Sequence, residues 1–355
     1  MTPPERFDDY MERCLYHPRD GFYAEHGSAG RAGGDFVTSP EVGSLFGAVL
    51  ARAVDRWWIE LGSPDRFVVV EAGAGRGSLA RSILHHVEHC AAALDYVVVE
   101  RSDRLRVEAA GDDRVRAVAD LGEVASLLGV HEGGMVGVVL ANELLDNLPF
   151  RLVRVAPGDG AGSATQEEVW VTDGRPVLGV PTAADPRLAR LRVPTDGALM
   201  PLFDRAALWI RQACSLLAAG RVVVFDYGVR HSQELVERQW LRTYQGHRRG
   251  GDPFEAPGRS DITADIAFDQ LPEATRIETQ AEFLEQHRIA DLVERARLAW
   301  REGAATGDLA AMAARSRVGE AEALTDPTGL GGFLVAQWMA AGNPDAGSVS
   351  GPGPV

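Results

Sequence analysis

Three glycines alternate in Gly73-Ala74-Gly75-Arg76-Gly77, directly after the apolar run Val68-Val69-Val70 and the acid Glu71. A glycine turn at the end of a parallel strand lets backbone approach a bound molecule, because no side chain blocks the way. A dinucleotide fingerprint places its third glycine one position later, where this chain has Ser78. The chemistry that suits the turn is that of S-adenosylmethionine, which has no phosphate to seat on a helix N-terminus and instead presents an amino acid and a sulfonium. Glu71 is placed to orient the methionine amino group, directly or through water. By itself the turn equally serves the packing of an ordinary strand-turn-helix.

Further acids fall at the ends of later apolar runs. Glu100 closes Val97-Val98-Val99, roughly 20 residues past the glycines, where ribose-binding acids fall in such folds. Asp120-Leu121 follows Val115–Val118, a place for an acid and an amide to hold adenine, although Asp120 is equally a good helix N-cap. A fourth run leads into Asn142-Glu143-Leu144-Leu145-Asp146-Asn147-Leu148-Pro149. Ligands of open α/β sheets bind outside the carboxyl ends of the strands, so Asn142, Glu143 and Asp146 are predicted to face the reacting centre. Asn142 is grouped with the cofactor, Glu143 and Asp146 with catalysis. Polar groups crowded against an apolar strand cost free energy unless they are used.

Those positions require a parallel sheet. Strands are predicted at Phe67–Val70, Tyr96–Val99, Val115–Val118 and Met135–Leu140, with helices at Ser78–Cys90, Asp103–Ala110 and Gly122–Leu128. Short β-branched runs alternating with longer amphipathic segments are the pattern of a parallel sheet covered by helices. Beyond Pro149 strands are read at Arg151–Val155 and Val169–Val171, a Gly/Ser-rich loop at Pro157–Ser163, a helix at Phe203–Leu217, and a strand Val222–Phe225 closed by Asp226-Tyr227-Gly228. The fold class is α/β, a Rossmann-like class I methyltransferase sheet with an N-terminal helical cap and inserted loops and helices. Residues 1–62 form the cap segment, 63–341 the methyltransferase domain with insertions at about 157–202 and 229–262, and 342–355 a disordered tail. Within the cap one helix starts at Ser39 as N-cap with Pro40 in its first turn. Residues 230–259 are read as a long polar excursion above the sheet.

Composition narrows the class. The chain has 355 residues, 45% of them hydrophobic, enough for one large α/β domain with insertions or two smaller ones. A formal net charge of -15 argues against nucleic acid or an anionic membrane as partner. All 36 basic residues are arginine, which excludes a Schiff-base lysine and a P-loop lysine. Cys14, Cys90 and Cys214 lack the CxxC spacing of metal or redox sites, His17 and His247 lack partners, and no metal is expected. Met1–Tyr10 carries no apolar leader and no run approaches about 18 apolar residues, so the expectation is a cytoplasmic protein.

Several longer blocks resemble the MidA family of S-adenosylmethionine-dependent methyltransferases. They are Leu15-Tyr16-His17-Pro18 with Gly21-Phe22-Tyr23; Gly34-Asp35-Phe36-Val37-Thr38-Ser39-Pro40-Glu41; Glu71 to Ser78; Ala141-Asn142-Glu143 with Asp146 and Leu148-Pro149; Asp226-Tyr227-Gly228; Asp252-Pro253 with Pro257-Gly258; Asp261-Ile262-Thr263-Ala264-Asp265; and Thr279-Gln280 with Phe283-Leu284. The resemblance implies a Rossmann-like core binding S-adenosylmethionine and, for eukaryotic members, arginine methylation on a respiratory-complex subunit. The chain departs from the family's usual pattern at Ala72, Ala74 and Ser78, which keep the glycines. It also departs at Ala48 and Ala267, each replacing a usual acid, which bears on substrate.

Methyl transfer is an in-line displacement that needs a positioned nucleophile and a place for a proton. An arginine acceptor must be held and partly deprotonated by carboxylates. Glu143 and Asp146 are nearest by position, and Asp35, Glu41, Asp226, Asp261 and Asp265 are second-wall candidates. With Phe36, Thr38, Ser39, Tyr227 and Thr263 these form an expected lid over the cofactor. Ser39 as N-cap, Asp35 as a loop acid and Asp226-Tyr227-Gly228 as a turn would account for the same blocks without any substrate. The acceptor, protein or small molecule, stays open; a homodimer is one option. A non-catalytic assembly or binding factor on this scaffold is the rival class, with an NAD-dependent oxidoreductase more distant.

Overall fold

The computed structural model describes residues 3–25, 38–131, 133–158, 164–181, 184–245, 248–303 and 309–340. The chain opens with α1 (Phe7–Tyr16), α2 (Phe22–Glu25), α3 (Ser39–Val42) and α4 (Ser44–Glu60). The single helix expected from Ser39 is therefore two, parted by an extended Gly43 (φ 160°, ψ -166°). A Cβ at Gly43 would lie 2.2 Å from the carboxyl carbon of Glu320. That carboxylate accepts the Leu45 N–H at 2.9 Å and satisfies the first turn of α4 from a distant part of the chain. Ser39 is not the cap: Thr38 holds that position, and the Ser39 hydroxyl donates to Gln280 Oε1 at 3.0 Å.

The core strands are β1 (Phe67–Ala72), β2 (Leu94–Val99), β3 (Val115–Val118) and β4 (Met135–Asn142), connected through α5 (Ser78–His86), α6 (Asp103–Ala109) and α7 (Val124–Leu128). Every residue of β1 is buried. Phe67 and Val69 pack into one apolar layer, while Val68, Val70 and Ala72 pack into the other. A strand covered on both faces has no polar side, which is why it reads as an unbroken apolar run.

After β4 an antiparallel sheet is inserted, made of β5 (Arg151–Pro157), β6 (Ala164–Thr172), β7 (Arg175–Gly179) and β8 (Ala198–Leu202), and the pair Glu5–Arg6 adds to β6. The chain returns through α8 (Asp204–Ser215) to β9 (Leu217–Asp226). The expected excursion over 230–259 proves partly ordered: β10 (Leu241–Gln245) pairs antiparallel with β11 (Asp261–Ala264) and with Arg248–Arg249. The last elements are β12 (Arg276–Thr279), α9 (Gln280–Gln286), α10 (Ile289–Gly303), α11 (Leu309–Thr325) and β13 (Leu334–Ala340). Residues 342–355 and His247 lie outside the described residues.

The central sheet has the order β12-β13-β9-β4-β1-β2-β3. β9, β4, β1, β2 and β3 run parallel, and β13 is antiparallel to both of its neighbours. One face packs against α4, α5, α9 and α10, and the other against α1, α8 and the inserted sheet. Strand order reverses between β1 and β4, so their carboxyl ends flank a crevice, the position where ligands of such sheets bind. Among the described residues no helix is long and apolar enough to cross a membrane.

Candidate active site

A cavity of about 410 Å³ opens at the carboxyl ends of β1, β2, β3 and β4. The glycine turn forms its floor. Gly75 has φ +54°, a backbone that disfavours side chains, and nothing lies within 4 Å of where its Cβ would stand. Gly77 instead sits behind the wall, where a Cβ would stand only 2.9 Å from Ala109 Cα, so this glycine sets the approach of α6. The Gly75 N–H donates to Glu100 Oε2 at 2.9 Å and the Ser102 N–H to Glu100 Oε1 at 2.8 Å. Glu100 thus ties the ends of β1 and β2 together, and its burial raises its pKa. Glu71 is buried, accepts the Tyr96 hydroxyl at 2.6 Å, and is pushed up to about 7 by burial. Asp120 Oδ1 accepts the Gly122 N–H at 2.8 Å, the capping role, and both Asp120 and Leu121 still line the cavity. Gly73 and Asn142 complete the part of the expected cofactor set that shares this wall.

The turn after β4 brings Asn142 and Glu143 to the same wall. Glu143 has φ +49°, the left-handed region that a residue with a side chain seldom occupies and that concentrates at functional sites. Its N–H is held by Phe225 O at 2.8 Å, while Oε1 accepts Asn142 Nδ2 at 3.1 Å and the Ser39 N–H at 3.4 Å. Burial, followed by the nearby Asp146 charge, pushes the Glu143 carboxyl up to about 8. Thr38 and Glu41 join the wall from the start of α3, with burial raising the Glu41 carboxyl. Asp35 and Phe36 lie outside the described residues.

The other expected acids stand elsewhere. Asp146 is buried behind the wall, accepting from Thr263 Oγ1 at 2.5 Å and from the Tyr227 hydroxyl. Asp226 turns inward to accept the Leu145 N–H at 2.9 Å and the Asp146 N–H at 3.3 Å. Asp265 pairs with Arg242, and Asp261 accepts from Asn147 Nδ2 at 3.0 Å and the Tyr23 hydroxyl at 3.3 Å. None of Asp146, Asp226, Tyr227, Asp261, Thr263 and Asp265 reaches the described wall of the cavity. In this structure, therefore, neither Asp146 nor the expected lid residues of these blocks line the cavity beside Glu143. Asp226, Asp261, Tyr227 and Thr263 bond to the turn Leu145–Asn147, whereas Asp265 stands apart with Arg242.

Spacing arguments missed several wall residues. Tyr16 and Tyr23 stack with centroids 5.5 Å apart, and their hydroxyls donate to Asn147 O and Oδ1, each at 3.0 Å. The Arg101 guanidinium lies 4.1 Å over Tyr16 and pairs with Glu12 at 2.6 Å. Trp209 and Gln212, three apart and so on one face of α8, close the side near Leu121. The tyrosines lie in a block that already stood out in the sequence, whereas nothing in the α8 sequence points at a cavity. Ala48 and Ala267, where an acid is usual, are buried in the apolar layers and do not line the cavity.

Charge on the wall is one-sided. Glu41, Glu71, Glu100, Asp120 and Glu143 line it against Arg76 and Arg101, and these two pair outward with Glu108 at 3.0 Å and Glu12 at 2.6 Å. A cationic ligand is favoured there. Among the described residues no group of three or more His, Cys, Asp or Glu is placed to hold a metal.

A parallel sheet with one antiparallel strand, a glycine turn after its central strand and acids at the ends of the next strands define a Rossmann-like methyltransferase. The chain belongs to the MidA family of S-adenosylmethionine-dependent enzymes: residues 49–286 match the family model described as "Putative S-adenosyl-L-methionine-dependent methyltransferase". A Burkholderia thailandensis protein crystallised with S-adenosyl-homocysteine is 30% identical, with a TM-score of 0.76 over 96% of this chain and 88% of that one. Curated relatives include the protein arginine methyltransferase NDUFAF7 homolog, mitochondrial, of Drosophila melanogaster, 28% identical over 75% of this chain and 65% of that protein. The Mus musculus protein arginine methyltransferase NDUFAF7, mitochondrial, is 25% identical over 76% of this chain and 66% of its own length. The chain thus spans slightly less than two thirds of these relatives. Their mitochondrial designation overturns the cytoplasmic expectation, which rested only on features missing from the sequence.

Proposed function

We propose that this protein transfers the methyl group of S-adenosylmethionine to an arginine side chain of a protein acceptor. The observation that carries this is the carboxylate-rich wall whose two arginines are neutralised from outside, with Glu143 held at about 8 beside Asn142. The names of the curated relatives support the same acceptor chemistry. S-adenosylmethionine supplies a methyl carbon activated by a cationic sulfur. Glu71, Glu100, Asp120, Leu121 and the Gly73–Gly75 turn are the groups in this reading that hold it, and Glu143 orients the guanidinium and takes its proton. A free guanidinium is a poor nucleophile because its pKa exceeds 12, so a basic carboxylate in contact is needed.

The test is transfer from tritiated S-adenosylmethionine to a synthetic peptide library with a fixed central arginine, run beside a matched library with lysine in that place and a small-molecule metabolite pool. Label recovered as methylarginine after acid hydrolysis is expected. Label confined to the small-molecule pool or to lysine, or none in arginine, overturns the reading.

A further inference from the structure

Asn142 carries a feature that holding the cofactor does not explain. Its Nδ2 donates to Glu143 Oε1 at 3.1 Å, which fixes the orientation of the amide and turns Oδ1 away from Glu143. Oδ1 is fully buried and has no hydrogen-bond partner among the described residues. An amide oxygen removed from water without a donor costs stability, and native folds rarely leave one so unless a ligand supplies the donor. The residue lines the cavity at the end of β4, and its backbone is locked in register against Phe225 of β9. Neighbouring Glu143, left-handed at φ +49°, presents a second acceptor beside it.

We infer that Asn142 and Glu143 together form the subsite for the methyl-accepting nitrogen, with Asn142 Oδ1 accepting an N–H of the acceptor guanidinium and Glu143 accepting another. The inference rests on the arginine reading above and moves Asn142 from the cofactor to the acceptor. Two adjacent acceptors match the planar fork of donors on a guanidinium, which a single ammonium does not offer. The amino group of the cofactor has its own acid in Glu71, at the end of the neighbouring strand β1. In the transfer, the electron pair of the reacting nitrogen forms the N–CH3 bond. The S–CH3 pair returns to sulfur, leaving a neutral thioether, and the N–H proton facing Glu143 passes to its carboxylate. The Asn142 amide neither gains nor loses a proton. It holds the nitrogen in line with the S–CH3 bond, an orientation that is a large part of the advantage of an enzyme.

Asn142→Ala is compared with the wild type by S-adenosyl-homocysteine calorimetry and by tritiated methyl transfer to the central-arginine library. The expected result is S-adenosyl-homocysteine affinity within about twofold of the wild type, with kcat/KM for the peptide down by roughly 10-fold or more and the KM for S-adenosylmethionine unchanged. A fall in S-adenosyl-homocysteine affinity of about 10-fold at an unchanged melting temperature returns Asn142 to the cofactor and overturns the subsite. Unchanged peptide kinetics overturn it too. Should the alanine variant not fold, the near-isosteric Asn142→Asp decides: a carboxylate facing the cofactor's ammonium would tighten S-adenosyl-homocysteine binding, whereas the subsite predicts unaltered S-adenosyl-homocysteine binding and a lowered peptide KM, because the carboxylate then faces the cationic guanidinium. If the wild type labels no arginine peptide, the arginine reading and this subsite both fall. If the wild type labels it and Asn142→Ala does so equally well, only the subsite falls.

Discussion

Two groups of carboxylates flank the turn after β4, the first partly buried apart from the buried Glu71 and the second buried throughout. On the cavity side, Glu71, Glu100 and Glu143 present oxygens to the space between the strand ends, and each is held by few partners, such as the Tyr96 hydroxyl or the Gly75 and Ser102 amides. Behind the wall, Asp146, Asp226 and Asp261 are engaged by the fold itself: by Thr263 and Tyr227, by the amides of Leu145 and Asp146, and by Asn147 and Tyr23. Both groups lose hydration, and burial raises the pKa in both. The contrast lies in what each group faces: the first lines the cavity, where the proposed ligands would meet it, and the second is enclosed by the protein's own donors. Substitutions in the first group should therefore act on binding and turnover, and those in the second on stability.

The largest effect is expected at the glycine turn. In Gly75→Val a side chain enters open cavity space on a backbone at φ +54°, where left-handed strain alone costs roughly 1–2 kcal/mol. S-adenosyl-homocysteine affinity measured by calorimetry should fall at least about 100-fold, equal to about 2.7 kcal/mol. Near-wild-type binding would remove this turn from the cofactor site.

Next comes Glu143→Gln, which keeps the shape of the side chain and removes the base. Turnover of the arginine library should drop about 10²–10³-fold, within the range for loss of a general base, while S-adenosyl-homocysteine affinity stays level. A base works when ionised, so with the Glu143 carboxyl at about 8, wild-type kcat/KM should climb with pH through that value and then flatten. The climb should be missing from Glu143→Gln. A limb that persists in the variant assigns the proton to another group.

How far the sequence alone reached can be judged on these same residues. β1 and β4 are legible because a strand buried on both faces reads as an apolar run. The edge strand β3, with its Arg116, is legible from its place in the strand–helix alternation, and an acid that ends such a strand stands where the sheet opens. Glu71, Glu100, Asp120 and Glu143 follow from that rule. Asp146 does not, since spacing places it near the strand end without saying which way the turn Leu145–Asn147 faces. That direction is set by Asp226, 81 residues from Leu145 and on another strand. The break at Gly43 likewise depends on Glu320, 275 residues from Leu45. Tyr16 and Tyr23 become wall residues only through Asn147.

Behind the wall the expected losses are smaller and of another kind. Tyr227→Phe removes the hydroxyl that donates to Asp146 and leaves Thr263 as its donor. A lost hydrogen bond to a buried charged group costs about 1.5–3 kcal/mol, a fall of several degrees in melting temperature. S-adenosyl-homocysteine affinity should stay within about twofold, since that change is worth only about 0.4 kcal/mol. A large loss of turnover at unchanged stability would place Tyr227 in the chemistry and erase the distinction between the two sides of the turn.

The smallest effect is a change of slope at Asp261. Burial first, and then the Asp146 charge, push its carboxyl from the usual 3.8 up to about 7. A folded-state pKa above the unfolded one means that the folded protein binds the proton more tightly. The stabilisation this gives is therefore complete below about 3.8, shrinks as pH rises from there, and is gone above about 7. Asp261→Asn cannot ionise and keeps an oxygen for the Tyr23 hydroxyl. Its melting temperature should accordingly change less than that of the wild type between pH 5 and pH 8, a range chosen to bracket the raised pKa. Glu71, at about 7, adds a similar slope in both proteins and cancels from the comparison. Parallel melting curves against pH would mean that Asp261 is already ionised across this range and that its donors Tyr23 and Asn147 outweigh the effect of burial.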